Sequence, residues 1–199
     1  MQTKPTSQKE QTKQLVLKAL LVAIVAILAF LGGFIKIGAS ASISLTLIPV
    51  VIGSAIFGPG TGALLGGVSG FIFLVTPDGL GWIGLNAFGT ILTVMVKGIA
   101  SGFLAGLTYK LLVEKQKNHY LAVLISAIVC PVVNTAIFLV GCRLFFWDGV
   151  VTGADKEGKS IIAFLLVFYV GLNFVLELLA NIVLSPAIMK IIDLRKKLI

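Results

Sequence analysis

Long apolar runs constrain this chain more than any other feature, because one aqueous core cannot bury so many of them. Residues 15–33, 86–113, 120–146 and 160–191 each supply the roughly 20 mostly apolar residues that a helix needs to cross about 30 Å of hydrocarbon. Two shorter runs, 45–57 and 62–75, are marginal alone. The Gly58-Pro59-Gly60 turn between them links them as a pair of short spans. Barrel strands also cross membranes, but they alternate with period two over about ten residues, and these runs do not. With 12% charged residues and a mean hydropathy of +1.08, the chain reads as an integral membrane protein. The expected fold is all-α, a compact bundle of six transmembrane helices over 15–192. A polar tail, 1–14, precedes the bundle and a basic tail, 193–199, follows it. Ala39-Ser40-Ala41 resembles a signal-peptide cleavage site, but the run before it is longer than a signal core. It is read as a retained first helix.

Charge sets the expected orientation. Lys4, Lys9, Lys13 and Lys18 open the first span, Lys110, Lys115 and Lys117 flank the turn after the fourth, and Lys190, Arg195, Lys196 and Lys197 close the chain. With six spans these clusters share one side. The other side holds Lys36, Arg143, Lys156 and Lys159, with four acids beside them. The positive-inside rule therefore predicts both termini in the cytoplasm. The net charge of +8 follows from topology and anionic headgroups, and no nucleic-acid partner is needed.

Gly153-Ala154-Asp155-Lys156-Glu157-Gly158-Lys159-Ser160 matches the letters of a P-loop. That loop works only between a strand and an amphipathic helix, with nucleotide present. Here a run apolar on all sides follows, and the charge rule places the segment outside. It is read as a polar outer loop. Cys130 and Cys142 stand twelve residues apart on one expected helix, about 18 Å, too far to pair. They read as small apolar core residues. A lone His119 at a cytoplasmic loop, with no His/Cys cluster, argues against a membrane enzyme. The lack of an internal repeat argues against a self-contained secondary transporter.

Small residues recur at helical spacing. Gly62, Gly66 and Gly70 stand four apart, as do Gly98, Gly102 and Gly106, and Ala19 with Ala23 forms a further pair. In lipid such residues allow backbones to approach closely. The glycine rows are expected to pack inside the bundle, and the alanine pair suits either the bundle or a partner subunit. From Ser40 to Leu47 hydroxyls alternate with apolar residues, so an extended segment would present Ser40, Ser42, Ser44 and Thr46 on one side. This fits a connection or a lid. Ionisable groups at membrane depth mark functional sites by default. Lys97 and Glu177 are therefore candidates, either as a structural ion pair or as ligand contacts. Asn86, Asn134 and Asn173 add polar groups, and Trp82, Arg143, Trp147 and Tyr169 lie near the outer boundary.

Six short-looped helices, Ala19-x-x-x-Ala23, the stretch "KIGASASISLTLIPVVIGSAIFGPGTGALLGGVSG" and a polar C-terminal half resemble the S components of energy-coupling-factor transporters. The most specific part is 47–70, with Pro49 and Phe57-Gly58-Pro59. The resemblance implies a vitamin-binding subunit of a bacterial plasma-membrane importer. It would capture substrate outside and topple against a transmembrane coupling subunit carrying two ATPases, without a cofactor of its own. Ala19 and Ala23 would then be the docking motif and the first outer loop, with Ser42 and Ser44, the lid. The cavity would be built from Trp82, Asn86, Asn134, Arg143, Tyr169 and Asn173, with Lys97 deeper. "LVTPDGLGWIGLNAFGT" and "CPVVNTAIFLVGCRLFF" look most like the pantothenate-specific branch. Lys97 or Arg143 would suit its carboxylate, and the asparagines its hydroxyls and amide.

Overall fold

Every long apolar run becomes a helix, because a backbone in lipid must satisfy its own hydrogen bonds. The computed structural model describes residues 8–32, 36–37, 41–42, 45–115 and 118–198. Helix α1 is Gln8–Gly32, and a two-residue antiparallel ladder joins β1 (Lys36–Ile37) to β2 (Ala41–Ser42). Then come α2 (Leu47–Phe57), α3 (Pro59–Leu74), α4 (Pro77–Leu85), α5 (Ala87–Lys115), α6 (His119–Phe145) and α7 (Trp147–Lys156). Helix α8 (Ile161–Phe164) runs through a π-helical segment (Leu165–Gly171) into α9 (Leu172–Leu198).

Several expectations need refinement. Among the described residues four helices are long and apolar enough to cross a membrane. A fifth span arises if α3 and α4, bent by 78° at their junction, count as one. At 11 residues, α2 reaches only about 16 Å, so six full spans do not follow from length. The segments joining α3 to α5 and α6 to α9 are also more structured than expected. Thr76 caps α4, its hydroxyl accepting from Gly79 N–H at 3.2 Å. A Cβ on Gly79 would strike the Phe73 carbonyl, so the sharp bend needs a residue without one. The expected tails are helical too: α1 starts at Gln8 and α9 runs to Leu198, since helical hydrogen bonding does not stop where the hydrocarbon does. Of the extended segment expected over 40–47, Ala41–Ser42 pairs as strand and Leu47 already opens α2, while residues 40, 43 and 44 lie outside the described residues.

The P-loop-like run is two helix ends back to back. Lys159 N–H donates to Ala154 O at 3.0 Å and Gly158 N–H to Asp155 O at 3.1 Å, with Gly158 at φ +60°. That is a Schellman cap. Ser160 then caps the next helix, accepting from Ala163 N–H at 3.3 Å.

The glycine rows explain how the bundle closes. A Cβ on Gly66 would collide with the carbonyl oxygen of Gly98, and one on Gly62 with that of Gly102; the reverse collisions hold as well. Farther along, Gly70 faces the Val94 carbonyl, where a Cβ would sit at 2.9 Å. The two helices run antiparallel with backbone against backbone, as close packing in lipid requires. Gly58, at φ +92°, makes the turn that brings α3 back from α2.

Two apolar clusters divide the interior. One gathers Val25, Val50, Val51, Leu65, Ala105, Val123 and Ile188 toward the end holding the Gly58 turn. The other gathers Cys142, Val150, Ala154 and Phe164 at the far end, with Trp82 and Phe138 against it. Both cysteines are free and buried, one in each cluster.

Candidate functional site

Between the two clusters lies a polar cavity of about 80 Å³. It opens beside the glycine seam, with Gly70 and Gly98 forming part of its wall. Helix α5 supplies Lys97, helix α6 Asn134, and helix α9 Asn173 and Glu177. The first half of the chain contributes as well: Ala29 and Gly32 from α1, Thr46 and Leu47 at the start of α2, and Ser69 and Phe73 from α3. The cavity is small beside the 300–1,000 Å³ usual for sites of drug-sized ligands. Admitting a vitamin-sized molecule therefore requires the lining to move apart.

The electrostatics are uneven. Lys97 Nζ sits 5.3 Å from the Phe73 ring centroid and 5.2 Å from that of Phe138, a cation held between two aromatic faces. Glu177, 5% exposed, lies within electrostatic reach of Lys97. Among the described residues the two form no direct ion pair. Asn173 precedes Glu177 by four residues, so both fall on one helix face, and its side chain reaches the Glu177 carboxylate. The Asn173 Oδ1 is buried with no hydrogen-bond partner. At the cavity edge Ser69 Oγ donates to Thr46 Oγ1 at 3.2 Å. Upstream, the π-helical segment widens the turn before Asn173; such insertions change which residues share a face and are frequent at functional sites.

The structure gathers part of the expected set. Lys97, Asn134 and Asn173 line the cavity. Asn86 instead caps α5, accepting from Gly89 N–H at 2.9 Å, while its Nδ2 reaches Phe145 O at 3.4 Å. Arg143 is exposed and stacks over Trp147 at 4.3 Å. Trp82 packs edge-on against Phe138 and Phe146, at 5.7 and 5.0 Å. It meets Phe138, one of the two rings against Lys97 Nζ, and does not line the cavity itself. Tyr169 falls in the π-helical segment and Ser42 in β2, their side chains outside the described set; Ser44 lies outside the described residues altogether. Ala19 and Ala23 are exposed on α1 and do not line the cavity.

The sequence reading left Glu177 open between a structural ion pair with Lys97 and a ligand contact, and missed Ser69 and Phe73. Thr46 carried a signal, as the last hydroxyl of the alternating row. Phe73 carried none, because an aromatic in an apolar run is indistinguishable from lipid-facing bulk. A family model described as ECF transporter, substrate-specific component, matches residues 13–191. No curated protein and no solved structure matches the chain.

Proposed function

This chain belongs to the family of ECF transporter substrate-specific components, and on that premise we propose that it is the pantothenate-binding subunit of its importer. Membership implies a multi-pass membrane protein that binds a small-molecule substrate and works with coupling and ATPase subunits. ATP hydrolysis belongs to those separate chains. One observation supports the ligand assignment above all: the cavity holds a cation, Lys97, beside the amides of Asn134 and Asn173 and within reach of the Glu177 carboxylate. A carboxylate displaces weak aromatic contacts when it takes Lys97, and gains a charge-assisted bond. Asn134 and Asn173 present both donors and acceptors, which suits a ligand with an amide and hydroxyls.

In this reading both termini are cytoplasmic, the cavity faces outward across a bacterial plasma membrane, and the segment with Ser42 and Ser44 covers it. Ala19 and Ala23 form the face that docks on the coupling subunit. Another water-soluble vitamin is the alternative ligand.

Equilibrium binding of a labelled vitamin panel to the purified protein tests the assignment, with pantothenate expected tightest. Lys97→Met should weaken that binding by about 1.5–3 kcal/mol, the worth of a hydrogen bond to a charged group. Arg143→Met, stacked outside the cavity, should leave it unchanged. Unaltered affinity in a folded Lys97→Met protein would refute the carboxylate anchor.

A further inference from the structure

The cavity holds one buried acceptor that its own donors leave unsatisfied, beside a carboxylate. Glu177 carries two carboxylate oxygens, and the neighbouring Asn173 Oδ1 is buried with no partner. Lys97, the nearest cation, rests on the rings of Phe73 and Phe138 and makes no direct ion pair with Glu177. One turn along α9, the Asn181 side chain donates from Nδ2 to the Glu177 backbone carbonyl at 2.8 Å and not to its carboxylate. Buried acceptors left unpaired are costly. A ligand that brings a donor to this spot relieves that cost, and one that lacks a donor does not.

We propose that Glu177 is the specificity-determining residue of this cavity: with Asn173 Oδ1 it accepts hydrogen bonds from a donor on the ligand whose acid rests on Lys97. The site thus takes polar acids carrying a hydroxyl or similar donor some way from the acid, and refuses acids of the same shape without one. This inference rests on the reading of the cavity as the ligand site. For pantothenate the donors are its two hydroxyls. An O–H to carboxylate bond is charge-assisted, among the stronger kinds. Discrimination of this type is steep, since a site built around hydrogen bonds to a substrate rejects analogues lacking them by about 10⁴–10⁵ at best.

The experiment uses the purified full-length protein in detergent, with radiolabelled pantothenate and 3,3-dimethylbutanoyl-β-alanine as competitor. The competitor keeps the carboxylate and amide but lacks both hydroxyls. Wild type should prefer pantothenate by at least about 100-fold, and Glu177→Leu should shrink the ratio to within about threefold. Glu177→Gln, which keeps one acceptor oxygen, should give an intermediate ratio. Lys97→Met should weaken both ligands alike and preserve the ratio. A wild-type ratio below about threefold overturns the proposal, as does an undiminished ratio in folded Glu177→Leu. Should the leucine variant fail to fold, the glutamine variant decides, and an unchanged ratio there overturns it. If Lys97→Met alters neither affinity, the ligand-site reading itself fails. Absence of pantothenate binding to wild type removes that reading and this inference with it.

Discussion

Helices α1 and α5 carry the same small-x-x-x-small spacing and use it in opposite ways. On α5, Gly98 and Gly102 face inward against Gly66 and Gly62, with backbone oxygens where a Cβ would stand. On α1, Ala19 and Ala23 are exposed, ringed by exposed Leu15, Val16, Leu20 and Ile27. The most apolar stretch of α1 is 17% buried, against 44% for α5. Both spacings permit close approach, and among the described residues only the α5 row is packed against another backbone. In lipid, apolarity cannot distinguish the two, because a leucine faces hydrocarbon and protein at similar cost. The spacing therefore reports that a backbone can come near, and says nothing of whose.

The comparison breaks most visibly at Gly66. Leucine there must displace the Gly98 backbone, which no side-chain rotation relieves. Overpacking costs about 1–3 kcal/mol and occasionally more; with carbonyl carbon and oxygen both in the way, Gly66→Leu should lie at the top of that range. Thermal unfolding and vitamin binding should fail together. Lost uptake beside intact binding and stability would move the glycine row to a partner face and dissolve the contrast.

Ala19→Trp and Ala23→Trp probe the other side. Their side chains project away from the bundle, so stability and binding by the isolated subunit should stay within about twofold, as for most surface substitutions. Uptake by the assembled transporter should be abolished by steric exclusion of the coupling subunit. Weakened binding would put the alanines in the bundle and end the docking assignment.

The smallest effect sharpens the comparison within the glycine run itself. A Cβ on Gly60 meets nothing within 4 Å. Gly60→Ala should therefore change stability by no more than about 1 kcal/mol, in the stabilising direction expected of alanine in a helix. Gly62→Ala, two residues on, should be clearly destabilising. Equal melting shifts for the two would mean that the seam is looser than its geometry.

Much of the fold was legible because the bilayer simplifies the problem. Each long apolar run had to be a helix, and each is. The glycine rows announced their own packing through a four-residue period. Boundaries were less legible: the apolar run 62–75 ends before Thr76-Pro77-Asp78-Gly79, and only the Thr76 cap and the Gly79 contact show that this polar stretch opens a separate helix, α4. In the site, Lys97 stood out by cost alone. Asn86 stood out for the same reason, yet its amide is taken up by the start of α5 and the end of α6. A polar residue near a helix end caps as readily as it binds, and spacing does not separate those uses.

Composition and periodicity alone determined that this chain is a helical membrane protein, where its apolar helices fall, and which rows of glycine allow close contact. Those properties are local: hydrogen-bond satisfaction in lipid and the absence of a Cβ do not depend on distant residues. Only the tertiary structure decided that α3 and α5 share the seam, that Ser69 and Phe73 join Lys97, Asn134 and Glu177 around one cavity, and that Arg143 stays outside. Each of these depends on which helix faces lie together, and in a bundle whose lipid-facing and protein-facing sides are equally apolar, the hydropathy pattern carries no record of that choice.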